Sequence, residues 1–127
     1  MPKKKILLVD DEETFTQLVR MNLETTGKYE VKIENSGSQA LATAMDFHPD
    51  LIFLDIIMPD MDGSDLAQQI RTVDALKDVP IIFLTAVVTS EEVDKSTGVI
   101  GGESFLAKPV NARQIIESIE EHIGSSR

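Results

Sequence analysis

The sequence contains no cysteine and no tryptophan, and aromatic residues make up only 5% of its 127 positions. Without cysteine the chain has no disulfide, no thiol nucleophile and no thiolate metal site, which fits the cytoplasm. No apolar run approaches the roughly 20 residues that a membrane-spanning helix needs. Basic residues are outnumbered, since 12 Lys and Arg stand against 22 Asp and Glu, and the net charge is −10. We expect no direct nucleic-acid binding, because an acidic surface repels phosphate backbones. We also expect no membrane association.

Short apolar segments alternate with segments of helical periodicity along the whole chain. Apolar or alternating patterns predict five strands, at 4–9, 29–33, 51–54, 81–85 and 104–107. Five strands that alternate with five helices imply, through right-handed crossovers, a parallel sheet covered on both faces. We therefore expect residues 1–127 to form one α/β domain, with no second domain and no output domain in this chain.

Capping and turn residues predict where the helices begin and end. Gly27 ends the first helix, and Ser36 with Gln39 fits a capping box at the start of the second. Asn111 with Gln114 starts the last helix. The fourth helix, announced by a capping box at 89–92, looks poor because weak helix formers and glycines follow it. Residues 95–102 are predicted to be a mobile, partly apolar partner face, with plain core packing as the alternative.

Polar side chains end four of the five predicted strands. Parallel strands present their carboxyl ends at one edge of the sheet, where ligands bind. Taken singly, an acidic run complements a helix dipole, an Asp caps a loop, a Thr belongs to a strand and a Lys is solvated. Their joint occurrence at one edge favours a functional site instead, formed by Asp10, Asp11, Asp55, Thr85 and Lys108.

Three carboxylates at one edge repel one another unless a cation lies among them. Oxygen ligands without cysteine or paired histidine favour Mg²⁺ over Zn²⁺. The hydroxyl of Thr85 and the ammonium group of Lys108 would face the remaining oxygens of an anion such as a phosphoryl group. Asp55, already ionised, is then the candidate nucleophile of aspartyl-phosphate chemistry.

The chain resembles the receiver domain of two-component response regulators, and is similar to the single-domain chemotaxis type. The resemblance covers essentially the whole chain. It implies a flavodoxin-like doubly wound sheet, (βα)5, with strand order 2-1-3-4-5. The motifs that carry it are Val9-Asp10-Asp11-Glu12, Leu54-Asp55 with Met58-Pro59 and Met61-Asp62-Gly63, Thr85-Ala86, and Phe105-Leu106-Ala107-Lys108-Pro109.

Carried over residue by residue, the resemblance implies that Asp55 is the phosphoacceptor. It implies that Mg²⁺ binds Asp11, Asp55 and the backbone carbonyl of Ile57, with Asp10 acting through water. Phe105 lacks the hydroxyl of the commoner tyrosine, so a plain core phenylalanine is the alternative to a switch residue. The other implied roles are pairing of Lys108 with the acceptor carboxylate, movement of Thr85 to the phosphoryl group, inward turning of Phe105, phosphoryl contacts from the backbone of Ile56 and Ala86, a structural turn at Gly63, and a cis bond before Pro109.

The resemblance implies a phosphorylation-controlled switch that catalyses only its own phosphorylation and slow autodephosphorylation. A sensor histidine kinase or phosphotransfer protein would supply the phosphoryl group. Output would pass to an unknown protein target through the predicted fourth helix, fifth strand and fifth helix, and a phosphorylation-dependent dimer stays open. A haloacid-dehalogenase-like phosphatase is a second interpretation, but it needs an acid where Ile57 stands. A degenerate docking module is a third, against which the complete residue set argues.

Overall fold

The computed structural model describes residues 3–85, 99–100, 103–107 and 111–123. These residues form one six-stranded sheet in the order β2-β1-β3-β4-β6-β5 and four helices. The strands are β1 Lys4–Val9, β2 Tyr29–Glu34, β3 Leu51–Asp55, β4 Ile81–Thr85, β5 Val99–Ile100 and β6 Glu103–Ala107. The helices are α1 Glu13–Thr25, α2 Gly37–Phe47, α3 Gly63–Arg71 and α4 Ala112–Ile123.

The predicted flavodoxin-like sheet is confirmed. The pairs β1–β2, β1–β3, β3–β4 and β4–β6 are all parallel, so the five long strands follow the order 2-1-3-4-5 with β6 as the fifth. The expected fourth helix begins at residues that lie outside the described part of the chain. Val99 and Ile100, which lie among the weak helix formers that follow the predicted box at 89–92, pair antiparallel with Ser104 and Glu103. Both are β-branched residues, which favour strands.

The core has two layers, one on each face of the sheet, because alternate strand residues point to opposite faces. Leu7, Val9, Ile52 and Leu54 pack beneath α2 and α3, together with Ala40, Ala44, Leu66 and Ile70. Ile6, Leu8, Leu51 and Phe53 pack beneath α1 and α4, together with Val19, Leu23, Ile115 and Ile119. All five residues of β3 are buried, as expected for a central parallel strand covered on both sides.

Most helix boundaries follow the predicted signals. Gly27, with φ of 76°, lies just beyond α1 in the left-handed region that glycine adopts without strain. Asn111 and Gln114 form a reciprocal capping box, each side chain accepting from the other's backbone N–H at 2.9 Å. The capping box predicted at Ser36 was wrong. Ser36 is the N-cap residue of α2, but its side chain makes no capping hydrogen bond.

Candidate functional site

Two buried aspartates lie side by side at the carboxyl edge of the sheet. Asp10 directly follows β1 and Asp55 ends β3, and the pairing of Val9 with Leu54 puts these positions next to each other. Asp10 is fully buried and Asp55 is 5% exposed. Asp11, the next residue along the chain, is exposed to solvent. The strand order therefore explains why residues 45 positions apart meet, as the sequence predicted.

Asp10, Asp11 and Asp55 form the acidic cluster that the sequence predicted. One carboxylate oxygen from each residue lies within 4.8 Å of the others. Like charges at this separation disfavour ionisation of one another, and a cation among them removes that cost. An all-carboxylate oxygen set with one solvent-facing member suits a hard ion that keeps several waters, as Mg²⁺ does. The residues present therefore fit Mg²⁺.

Hydrogen bonds from neighbouring backbone and side chains orient Asp10. Its Oδ1 accepts from the backbone N–H of Glu12 at 2.9 Å. The amide Nδ2 of Asn35 donates to the backbone carbonyl of Asp10 at 2.7 Å and to Oγ1 of Thr16 at 3.1 Å. Sequence reasoning missed Asn35. The signal that could have found it is its place directly after β2, since Glu34 pairs with Val9 and the next residues on both strands are neighbours.

The loop between β3 and α3, residues 56–62, holds the backbone that follows Asp55. The backbone N–H of Ile57 donates to Oδ1 of Asp55 at 3.4 Å, and the Ile57 side chain is 58% exposed. The N–H of Ile56 donates to the carbonyl of Leu84 at 3.0 Å. A phosphoryl contact from the Ile56 N–H stays a prediction, and it requires that this bond be exchanged.

Gly63 closes this loop on the backbone of the candidate phosphoacceptor. Its N–H donates to the carbonyl of Ile56 at 2.7 Å. A Cβ atom built on Gly63 would lie 2.2 Å from the carbonyl oxygen of Asp55 and 2.8 Å from the Cα of Ile56. Only glycine permits so close an approach. The sequence predicted a structural role for Gly63, and the contacts supply the reason.

The other predicted site residues are described in part or lie outside the described residues. Thr85 ends β4, one position beyond Leu84, which pairs with Asp55. Phe105 lies in β6, opposite Phe83 of β4. It is half-buried and packs against the core layer beneath α2 and α3. Ala86, Lys108 and Pro109 lie outside the described residues. Their predicted roles, including the cis bond, stay predictions.

Two further aspartates of the 56–62 loop have lowered pKa values. Asp62 accepts from the N–H and hydroxyl of Ser64 at 2.8 and 2.7 Å, which caps α3 and lowers the pKa of its carboxyl group. Asp60 accepts from the N–H of Ser38 and the hydroxyl of Ser36, which lowers its pKa to about 2. Hydrogen bonds to an ionised carboxylate stabilise the charged form.

Comparison with known proteins identifies the family. The family model of the response regulator receiver domain matches residues 6–120. The chain belongs to the response regulator receiver family. Receiver domains are signalling modules of two-component systems, switched by phosphorylation, and response regulators interact with histidine kinases and downstream targets.

Solved structures and curated relatives agree with this assignment. The chemotaxis protein CheY4 of Vibrio cholerae superposes with a TM-score of 0.83 at 30% identity, covering 96% of this chain and 100% of that one. The polar-differentiation response regulator DivK of Brucella ovis is 31% identical over 124 residues, 97% of this chain and 98% of DivK. The alkaline phosphatase synthesis transcriptional regulatory protein PhoP of Bacillus subtilis is 40% identical over 113 residues, 88% of this chain.

Two of the curated relatives are about twice as long as the segment that this chain matches, whereas DivK is matched over nearly its whole length. The chain spans 45% of PhoP and 46% of the probable transcriptional regulator ycf27 of Porphyridium aerugineum. The alignment with each of these two regulators therefore leaves more than half of the relative without a counterpart here. Within the described ranges of the receiver, every helix is too short or too polar to cross a bilayer.

Proposed function

We propose that Asp55 accepts a phosphoryl group from a phosphohistidine, carried by a sensor histidine kinase or a phosphotransfer protein. One observation supports this most directly, namely that Asp55 is almost fully buried with its carboxylate oxygen within 4.8 Å of those of Asp10 and Asp11. A buried carboxylate held against two others at a strand end is poorly explained as a loop cap. It is well explained as a nucleophile beside a cation site.

The proposed transfer forms one bond and breaks one. An oxygen of the Asp55 carboxylate attacks phosphorus, and the phosphorus–nitrogen bond of the donor breaks. The imidazole leaves with that electron pair and takes up a proton. Bound Mg²⁺, held by Asp11, Asp55 and the Ile57 carbonyl with Asp10 acting through water, would neutralise charge on the phosphoryl oxygens. We assign the remaining charge neutralisation to Lys108. To Thr85 we assign the hydrogen bond that forms with the phosphoryl group once that group is on Asp55.

The chain would keep the phosphoryl group long enough to signal. The residue two positions after Asp55 is Ile57. Its largely exposed side chain has no acidic proton to donate and no basic atom to accept one. A phosphatase with an aspartate nucleophile needs a general acid or base there. This argues against multiple turnover of foreign phosphoesters and for self-phosphorylation with slow hydrolysis. A docking module without chemistry would have no use for the buried acidic cluster.

Output is proposed to leave through protein contact. The relevant face comprises the predicted fourth helix, β6 and α4. Phe105, which lies in β6, would turn inward as Thr85 moves. We further propose that residues 1–127 act as a single receiver domain in the cytoplasm without contacting nucleic acid or membrane. A dimer that depends on phosphorylation is a testable extension of the same face.

Intact mass spectrometry tests the proposal. The protein is incubated with acetyl phosphate and Mg²⁺, alongside Asp55→Asn and alongside Asp65→Asn, which makes the same charge change at an exposed position on α3. We expect one added phosphoryl group in the wild type and in Asp65→Asn, none in Asp55→Asn, and none after Mg²⁺ is chelated. Retention of the group by Asp55→Asn would refute the assignment. Repeated turnover of p-nitrophenyl phosphate would favour the phosphatase.

A further inference from the structure

Asp60 connects two segments that are distant in sequence. Its Oδ2 accepts from the hydroxyl of Ser36 at 2.8 Å and from the N–H of Ser38 at 3.1 Å, and its Oδ1 accepts from the N–H of Gly37 at 3.3 Å. Gly37 and Ser38 are the first two residues of α2. Asp60 therefore caps α2 from another part of the chain, and we call these three hydrogen bonds the Asp60 clasp.

The Asp60 clasp replaces a local cap. Ser36 occupies the N-cap position of α2, but its hydroxyl donates to Asp60 and its side chain caps nothing in its own helix. A carboxylate is the stronger partner here, because it accepts charge-assisted hydrogen bonds and lies at the positive end of the helix dipole. The lowered pKa of Asp60 is consistent with this arrangement.

Close packing accompanies the clasp. A Cβ atom on Gly37 would lie 3.0 Å from Cβ of Met61 and 3.1 Å from Cε of Met58. Met58 is buried in the core layer beneath α2 and α3, and Met61 packs against that layer. The absence of a side chain at Gly37 thus lets the 56–62 loop approach the start of α2, where the Asp60 clasp forms.

The clasp fixes the middle of the 56–62 loop. The ends of this loop are fixed separately, by the bond of the Ile56 N–H to Leu84 and by the Asp62 cap on α3. Between them lies Ile57, three residues before Asp60, with its N–H directed at Oδ1 of Asp55. A backbone bridge pairs Ile57 with Asp62. In the described structure the clasp adds to the methionine packing the side-chain hydrogen bonds that hold the loop segment after Ile57 to α2.

We propose that Asp60 is a positioning residue for the phosphorylation site, because the Asp60 clasp holds the loop backbone at Ile57 in the geometry that binds Mg²⁺ beside Asp55. The inference rests on the proposed function and adds a residue that neither contacts the phosphoryl group nor binds the metal. Loss of the clasp would leave Asp10, Asp11 and Asp55 in place but would let the Ile57 carbonyl move. The expected defect is in Mg²⁺ binding rather than in the nucleophile.

The variant Asp60→Ala removes the clasp, and Asp65→Asn is the control for charge. Phosphorylation by acetyl phosphate is followed against Mg²⁺ concentration at a temperature where circular dichroism shows every variant to be fully folded. We expect the half-saturating Mg²⁺ concentration of Asp60→Ala to rise about tenfold, as when groups that orient metal ligands are lost. Asp60→Asn keeps one acceptor oxygen and should lie between the wild type and Asp60→Ala. Equal Mg²⁺ dependence in Asp60→Ala and Asp65→Asn would overturn the inference.

A double variant separates positioning of the loop from simple capping of α2. Ser36→Asp gives α2 a local N-cap of a favoured type and leaves the loop untied when combined with Asp60→Ala. We expect Asp60→Ala/Ser36→Asp to keep the raised Mg²⁺ requirement. Return of wild-type Mg²⁺ dependence in the double variant would show that Asp60 only stabilises the helix, and would overturn the positioning role.

Failure of this inference can be distinguished from failure of the proposed function. No phosphoryl incorporation by the wild type overturns the proposed function and, with it, this inference. Normal incorporation by the wild type, with unaltered Mg²⁺ dependence in Asp60→Ala, overturns the inference alone. Amide hydrogen exchange gives a reading that is independent of phosphorylation. Exchange at Gly37, Ser38 and the non-proline residues of 56–62 should accelerate in Asp60→Ala, and unchanged rates there would contradict the clasp itself.

Discussion

The carboxylates of Asp60 and Asp62 lie at helix N-termini, whereas those of Asp10, Asp11 and Asp55 lie against one another at the carboxyl edge of the sheet. The first pair accepts hydrogen bonds from backbone N–H groups, and both pKa values are lowered. In the acidic cluster Asp10 and Asp55 also accept backbone hydrogen bonds, but one carboxylate oxygen from each of its three residues lies within 4.8 Å of the others. The two sets lie in one region of the molecule, but the fold stabilises the charge of one set and concentrates the charge of the other.

This difference indicates which carboxylates are structural and which await a ligand. A carboxylate whose hydrogen bonds come from a helix end contributes to stability without any partner. Carboxylates that repel one another reduce stability until a cation binds, a cost that functional sites commonly carry. The comparison therefore predicts effects of opposite sign for substitutions in the two sets, and the largest effect where the loop joins them.

Gly63→Ala should have the largest effect, because Gly63 lies where this loop returns to Asp55. The added methyl group would meet the Asp55 carbonyl oxygen at 2.2 Å, so backbone that supports both sets must move. We expect the free energy of unfolding in urea to fall by about 3 kcal/mol. Gly27→Ala is the control. It meets open space but has φ of 76°, and should cost only about 1 kcal/mol. Equal losses would contradict a steric cause at Gly63.

Mg²⁺ should stabilise the wild type through the acidic cluster alone. At a concentration 100 times the dissociation constant, one bound ion raises the free energy of unfolding by about 2.7 kcal/mol. This increment, measured by thermal unfolding with and without Mg²⁺, should largely disappear in Asp11→Asn and persist in Asp62→Ala. An undiminished increment in Asp11→Asn would place the ion elsewhere.

Substitutions without divalent cation test the opposite signs directly. Asp62→Ala removes the α3 cap and should lower the free energy of unfolding by about 1 kcal/mol. Asp11→Asn removes one of three repelling charges and should raise it by about 0.5 kcal/mol. Urea titration in a chelating buffer measures both. Destabilisation by Asp11→Asn would mean that repulsion within the cluster is already offset by the fold.

Local signals in the sequence predicted most of what depends on local contacts. The five parallel strands, the strand-end aspartates and the Asn111–Gln114 capping box were predicted, since each depends on periodicity or on residues three positions apart. The Ser36 box failed because the Ser36 hydroxyl donates to the carboxylate of Asp60, 24 residues away, and that carboxylate accepts from the start of α2 in place of Ser36. Asn35 was missed because its contact is also between distant segments, since only the pairing of β1 with β2 brings it to Asp10. Contacts between distant segments depend on how strands and loops are arranged in three dimensions, and the periodicity of the sequence does not determine that arrangement in detail.

The smallest effect is expected at acidic pH, from Asp60. Its pKa is lowered from the ordinary 3.8 to about 2 by the hydrogen bonds from Ser38, Ser36 and Gly37. A carboxyl group whose pKa is lower in the folded state stabilises the protein above its unfolded pKa, and this contribution is lost as the pH falls through the folded value. The stability difference between wild type and Asp60→Asn should therefore be constant above about pH 5 and shrink between pH 4 and 2.

Because Asp60 is exposed, salt will screen this contribution, so the measurement needs low ionic strength. Asp65→Asn, at an exposed position without the clasp, is the matched control. A difference between wild type and Asp60→Asn that stays constant down to pH 2 would mean that the clasp does not depend on the carboxylate charge. Asp60 would then act only as a hydrogen-bond acceptor, as a neutral group does. The helix-capping aspartates and the acidic cluster would differ in geometry and not in how the fold treats their charge.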